Sequence, residues 1–356
     1  MRELVIILAD FFLREAEGES PQARAALSRA RFGPARSLRG GWRDWLARRE
    51  GRDDIALADP AIVVAAANGT LPPVSDGGTV SEVSPWLVTP LHLLAGMKTV
   101  HVPMTAALTL GPAESQELSR EFAAMFGADG LVLQPIEPHG FLLHGLEADG
   151  AETVEPARLL GGTLDEGLPS GPSSRRLRQL MTEIDLWLHA LPLNRVREAR
   201  NEPRISTLWL WGGGQGLRDR LPHSTAHEGW AALYADDAWV AAFAQLSGIH
   251  AKTLPRDATT LLSVPTADAV AASQDAASHA AGAGGAVCVI LPSAAQGLVA
   301  LDAAWIGPAL EAVRAGTLQC VSIVGNDRCV TLATGDAWRF WRPERDVLAA
   351  LAEGAA

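Results

Sequence analysis

The stretch Leu208-Trp209-Leu210-Trp211-Gly212-Gly213-Gly214-Gln215-Gly216 ends an apolar run in three consecutive glycines. A strand that exits through glycines into a helix can aim successive backbone N–H groups at a phosphate. The residues that would complete a phosphate motif are not there. Gly216 is followed by Leu217 and Arg218 rather than Lys and Ser or Thr, and Leu217 stands where a dinucleotide fingerprint starting at Gly212 needs a glycine. The other reading is steric: Gly212, Gly213 and Gly214 permit a sharp exit from a buried strand or a close backbone approach. Just upstream, Asn194, Arg197 and Arg200 carry the polar groups that would meet an anionic ligand at a chain crossing.

Metal chemistry has separate candidates. His223 and His227 are spaced i, i+4, which on a helix puts two imidazoles on one face beside Glu228. The order is H-x-x-x-H-E rather than H-E-x-x-H, and Gly229 interrupts a helix there, so a loop is the competing reading. Asp10 follows the first apolar run, as a metal ligand or as a helix cap or solvated strand end. Asp327 lies in Asn326-Asp327-Arg328, which also reads as a hairpin turn. His139 and His144 have strand spacing toward opposite faces, and His92 and His101 read as structural. As nucleophile, Thr70 is a loop hydroxyl after an apolar run, and Ser293 lies in a strand exit with no readable His-Asp partner; there is no G-x-S-x-G.

These residues need a scaffold, and composition bounds it. The chain has 356 residues, 48% hydrophobic, with net charge −11 and a pI near 5.3, enough for about two domains. An acidic chain is poorly suited to nucleic acid or anionic lipid, whose binding rests on clustered Lys and Arg. The exception is 29–52, where Arg and Trp interleave; an amphipathic helix with Trp42, Trp45 and Leu46 inward and the arginines solvated accounts for it. Cys288, Cys320 and Cys329 have neither disulfide nor zinc spacing. With Glu3 and Asp10 in the first segment, no small-residue cleavage site and no long apolar span, a cytoplasmic protein is expected, with no membrane.

Short apolar runs at 3–9, 61–67 and 285–291 read as strands of a parallel sheet buried on both faces. Gly, Pro and Ser crowd 68–85, which reads as a crossing loop. Helical spacing of Leu118, Phe122, Met125 and Phe126 is followed by a strand, turn and strand over 131–147, giving an inserted α+β subdomain. Leu177, Leu180, Ile184, Leu188 and Leu191 mark a further helix. The chain then returns to the sheet: a strand before the glycines, a strand, turn and helix over 230–249, a helix over 302–316, and a closing meander with turns at 325–327 and 334–336. The expected architecture is α/β, with helices on both faces of the core sheet. Residues 1–84 and 170–356 form the core domain, and 85–169 the insertion.

The stretch 191–215 resembles cofactor-independent phosphoglycerate mutases of the archaeal kind, through Leu191-Pro192-Leu193-Asn194, Arg197 or Arg200, Pro203, and Gly212 with Gly214. It is similar, more closely, to a bacterial offshoot, the RpfE-type regulatory proteins, through Trp209, Trp211, Gly212 and Gly214, the helix with Glu183, and the segments 89–100 and 234–249. The resemblance spans about residues 85–250. It implies an alkaline-phosphatase-like core with an inserted domain. In active members, a Ser or Thr nucleophile works with two divalent cations, manganese or zinc, held by Asp and His. It places a metal-binding aspartate at Asp10 and an Asp-His pair after a late strand, where this chain has Asn326, Asp327 and Arg328. The expectation is a catalytically degenerate mutase-like protein, regulatory or ligand-binding, needing no cofactor. It would take a phosphorylated or other anionic small molecule and a protein partner. Alternatives are an active metal-dependent phosphotransferase, or a protein-interaction scaffold using aromatics such as Trp338 and Trp341.

Overall fold

The computed structural model describes residues 3–12, 27–71, 84–148, 150–214, 221, 229–263, 286–292 and 297–353. In chain order, the elements used below are β1 (Glu3–Leu8), β2 (Arg29–Ala30), β3 (Arg36–Ser37), α1 (Gly41–Arg49), α2 (Pro60–Ala67), β4 (Trp86–Leu91), α3 (Pro112–Phe126), β5 (Val132–Pro135) and β6 (Phe141–His144). They continue with α4 (Ser174–Ala190), α5 (Pro192–Ala199), β7 (Thr207–Trp211), β8 (Trp230–Tyr234), α6 (Ala238–Leu246), β9 (Ala251–Lys252), α7 (Ala258–Ser263) and β10 (Ala286–Leu291). The last are α8 (Gly307–Arg314), β11 (Cys320–Gly325), β12 (Arg328–Ala333), β13 (Arg345–Asp346) and α9 (Val347–Ala352). The chain divides into two units: Met1–Ala56, His223–Asp236 and Ala244–Ala356 form the first, and Leu57–Pro222 with Asp237–Phe243 the second.

The first unit is α/β. Its sheet runs β9-β8-β10-β1-β11-β12-β3. The strands from β9 to β11 are parallel; β12 and β3 are antiparallel additions. β1 is central, with Ile6 opposite Val289 on one side and Ile323 on the other. After Glu3 its residues LVIIL are apolar at successive positions because both faces are covered. Leu4, Ile6 and Leu8 join a core with Trp305, Ala309, Leu310 and Val313, while Val5 and Ile7 are equally buried on the opposite face. α1 is the helix expected from the Arg/Trp stretch. Trp42 and Leu46 are buried, and Trp45 packs edge-on against Trp230 with centroids 5.8 Å apart.

The arginines of that stretch are not all solvated. Arg49 bonds both carboxylate oxygens of Glu3 and lies over the Trp230 ring. Arg52 is buried, donating to the carbonyl of Leu246, the hydroxyl of Ser247 and the carboxylate of Asp54. Arg-Trp interleaving here builds one end of the sheet. The β11–β12 hairpin turns on Asn326 and Asp327 as expected, but the second turn of the meander opens a 3-10 turn at Thr334–Trp338 instead of a strand pair. The expected 302–316 helix begins with a π-turn at Asp302–Ile306.

The second unit holds an antiparallel sheet, β5-β6-β4-β7. α3 buries Leu118, Phe122 and Phe126, and Trp187 of α4 meets both phenyl rings edge-on at 5.7 and 5.6 Å. Two expectations change here. Residues 61–67 lie in helix α2 rather than a strand. A continuous apolar run fits a buried helix as well as a buried strand, and Pro60 in the first turn is the helix-start signal that decides between them. The strand before the glycines pairs with β4, Leu87 against Trp211 and Leu91 against Thr207, so it belongs to this sheet and not to the parallel one. The unit therefore extends well beyond 85–169 on both sides. Among the described residues no helix is long and apolar enough to cross a membrane.

Candidate functional site

The parallel strands of the first unit share a carboxyl edge, where open α/β sheets bind ligands. Asp10 lies two residues beyond β1, Asp236 two beyond β8, and Asn326-Asp327 directly beyond β11. The edge is tightly knit. Ala9 N–H donates to the Leu291 carbonyl at 3.1 Å, and Asn326 N–H donates to the Phe11 carbonyl at 2.8 Å. Asn326 and Asp327 have φ of 50° and 53°, the two positive values a two-residue hairpin turn needs. Leu38 N–H donates to the Asp327 carbonyl at 2.7 Å. The guanidinium of Arg328 donates to the carbonyls of Leu351 and Glu353 at the end of α9, where a cation meets the helix dipole.

A pair of divalent cations needs several carboxylates and imidazoles converging on it. Among the described residues no group of three or more His, Cys, Asp or Glu side chains is placed to hold a metal ion. Asp10 and Asp327 share the described edge, and Arg328, tied to the end of α9, follows Asp327. His223, His227 and Ser293 lie outside the described residues. The three cysteines are free thiols. Burial pushes the Cys288, Cys320 and Cys329 thiols up, away from the thiolate a nucleophile requires.

The anion candidates lie in the second unit, and most are engaged in holding backbone. Asn194 is buried; its amide donates to the carbonyls of Leu188 and Ile205, and its Oδ1 accepts from Ile205 N–H. Arg197 is buried too, its Nε on the Pro203 carbonyl and its Nη1 on both carboxylate oxygens of Glu114. Arg200 is exposed just past α5. Thr70 follows helix α2 and turns its hydroxyl back to the Ala65 carbonyl. The glycines make close approaches within the unit. A Cβ on Gly213 would lie 2.3 Å from the Pro85 carbonyl oxygen, and one on Gly214 2.6 Å from that of Ala151. The Gly212 carbonyl accepts from Ala61 N–H and the Gly214 carbonyl from Gly150 N–H, both at 2.8 Å.

Of the histidines, His92 bonds the Arg204 carbonyl and His101 the Thr99 hydroxyl. His144 is held below the usual imidazole range by burial. The sequence reading missed a hollow of about 160 Å³ in the second unit, walled by Thr89, Thr109, His139, Phe141, Trp211 and Trp239 among others. Its polar rim is organised: Trp211 Nε1 donates to Thr89 Oγ1, and Trp239 stacks on Phe243 at 5.4 Å. The signal available was the Trp-x-Trp spacing, which puts Trp209 and Trp211 on one face of β7.

No protein-family model matches the chain. A probable 2,3-bisphosphoglycerate-independent phosphoglycerate mutase of Geobacter sulfurreducens is 28% identical over 110 residues, 31% of this chain. That match spans 28% of the relative's length. Among solved structures, the chain is similar to a cofactor-independent phosphoglycerate mutase from Thermoplasma acidophilum, with a TM-score of 0.40 and 14% identity, covering 99% of this chain and 95% of that one. It is similar also to the PH0037 protein from Pyrococcus horikoshii, with a TM-score of 0.39 and 14% identity, covering 99% and 93%.

Proposed function

We propose that this chain is a phosphoglycerate-mutase-like protein whose metal-dependent chemistry is degenerate and whose role is regulatory or ligand-binding. The observation that carries the reading is the Asn326-Asp327-Arg328 turn. It closes on the carbonyl of Phe11 and sends its arginine to the end of α9, at the edge where the resemblance calls for a metal-binding Asp-His pair. An arginine in that position offers no lone pair to a metal ion, where a histidine would. The relative named as a mutase supports the ancestry. The ligand class in keeping with it is a phosphorylated or other anionic small molecule, and a protein partner would deliver the regulation.

Asp10, Asp236 and Asp327 standing at one sheet edge favour the rival reading, a metal-dependent phosphotransferase using manganese or zinc. One experiment separates the two. The purified protein is loaded with manganese or zinc, dialysed free of excess, weighed for metal by elemental mass spectrometry, and assayed for interconversion of 2- and 3-phosphoglycerate. The degenerate reading expects neither stoichiometric metal nor turnover. Retained metal that is lost on Asp10→Ala, together with turnover, overturns it.

A further inference from the structure

The largest exposed aromatic groups of the first unit are neighbours in sequence. Trp338, Phe340 and Trp341 are 83%, 82% and 69% exposed, and Phe340 meets Trp341 edge-on at 5.4 Å. Large aromatics bury well over a hundred Å² each when covered, and clusters of them on a surface mark interaction sites. The segment is held in place from beneath. Asp336 is buried, accepts from Ala333 N–H, and pairs with both Arg339 and Arg342. The aromatic side chains are thus presented on an anchored turn.

Beside this turn lies a hollow of about 120 Å³, with Ala30, Val313 and Leu332 among its apolar walls and Arg31, Arg314 and Thr334 among its polar ones. It is sized for one side chain. Among the described residues the Nε of Arg31 has no hydrogen-bond partner, and its Nη1 pairs with Glu344 at 2.9 Å. Arg29 and Arg314 bond main-chain carbonyls, those of Glu344 and Arg29, rather than carboxylates. On and next to the turn and the β2–β13 pair, arginines 29, 31, 339, 342 and 345 outnumber the carboxylates of Asp336, Glu344 and Asp346. A locally cationic, aromatic face on a chain of net charge −11 is complementary to carboxylates set among apolar side chains.

We infer that this face docks an acidic segment of another protein, with one apolar side chain seated in the hollow and its carboxylates on the surrounding arginines. An anionic membrane is the less suited occupant, because the chain as a whole is repelled by it. Nothing here depends on the mutase-like reading or on a metal.

The test uses the full chain and a short fluorescent peptide alternating Glu and Leu, with Lys/Leu and Glu/Ser versions as controls, followed by anisotropy. The Glu/Leu peptide binds and the two controls do not, and its affinity falls as salt is raised. Trp338→Ala with Trp341→Ala weakens binding by about tenfold or more, while the melting temperature stays that of the native chain because both side chains are exposed. Equal binding by native and variant chains overturns the inference. So does association with phosphatidylserine vesicles in place of the peptide. Self-association in sedimentation velocity that the tryptophan variant abolishes would assign the face to a second copy instead, and overturns it too.

Discussion

Nη1 of Arg197 lies 2.8 and 2.9 Å from the two carboxylate oxygens of Glu114, tying α5 to the first turn of α3. The arginine is almost wholly buried and its partner mostly so, with side-chain exposures of 6% and 18%. Removing one member of such a pair strands a buried charge. Arg197→Met is expected to destabilise the second unit by about 3 kcal/mol, and Glu114→Gln by less, since the neutral amide still accepts. In urea unfolding, the double variant Arg197→Met/Glu114→Gln should lose less than the sum of the single losses, by about 1 kcal/mol or more. Additive losses would show that the two side chains act independently.

Asp185, on α4, is a half-buried carboxyl whose Oδ1 has no hydrogen-bond partner among the described residues. Burial pushes its pKa up to about 6, against a smaller downward pull from the hydrogen bond with Thr207. The native state therefore favours the protonated acid. The stability this gives is fully present below the ordinary carboxylate value near 3.8, and is lost as pH rises through about 6. At pH 7 the ionised group costs about 2 kcal/mol, after allowance for its partial exposure. Asp185→Asn should raise the melting temperature at pH 7, and the advantage over the native chain should vanish near pH 4. An advantage that is the same at both pH values would mean that ionisation is not its source.

What was legible in the sequence was whatever depends on local pattern. The ELVIIL run became the central strand β1, and the helical face of Leu118, Phe122 and Phe126 became the buried side of α3. The Asn326-Asp327 turn formed between β11 and β12 as its residue types require. Where two structures share one pattern, the reading failed: the apolar residues 61–67 serve a helix, and only Pro60 distinguishes it. Pairing was out of reach, because nothing local says that β7 joins β4 rather than the parallel sheet. Site chemistry was harder still. Asn194 and Arg197 have the groups an anion site needs, but their partners are backbone carbonyls nearby and a carboxylate on α3, 83 positions earlier in the chain.

The glycines of the Trp-x-Trp-Gly-Gly-Gly stretch can be separated into steric and ligand roles by substitution. Gly213→Ala would drive a methyl group to 2.3 Å from the Pro85 carbonyl and against the Trp86 ring, which is backbone and buried aromatic and gives little. The expected cost is about 3 kcal/mol, at the upper end of overpacking losses. Gly214→Ala adds left-handed strain at φ 98° to a clash with the Ala151 carbonyl and should cost at least as much. Gly127 is the control: it sits at φ −65°, and an added methyl group would meet nothing within 4 Å. Gly127→Ala should be neutral or stabilising by a few tenths of a kcal/mol. Thermal melts of the three variants with and without inorganic phosphate distinguish the roles. If the glycines serve packing, phosphate shifts neither the native chain nor the variants; a rise in the native melting temperature that Gly213→Ala abolishes would make the loop an anion site after all.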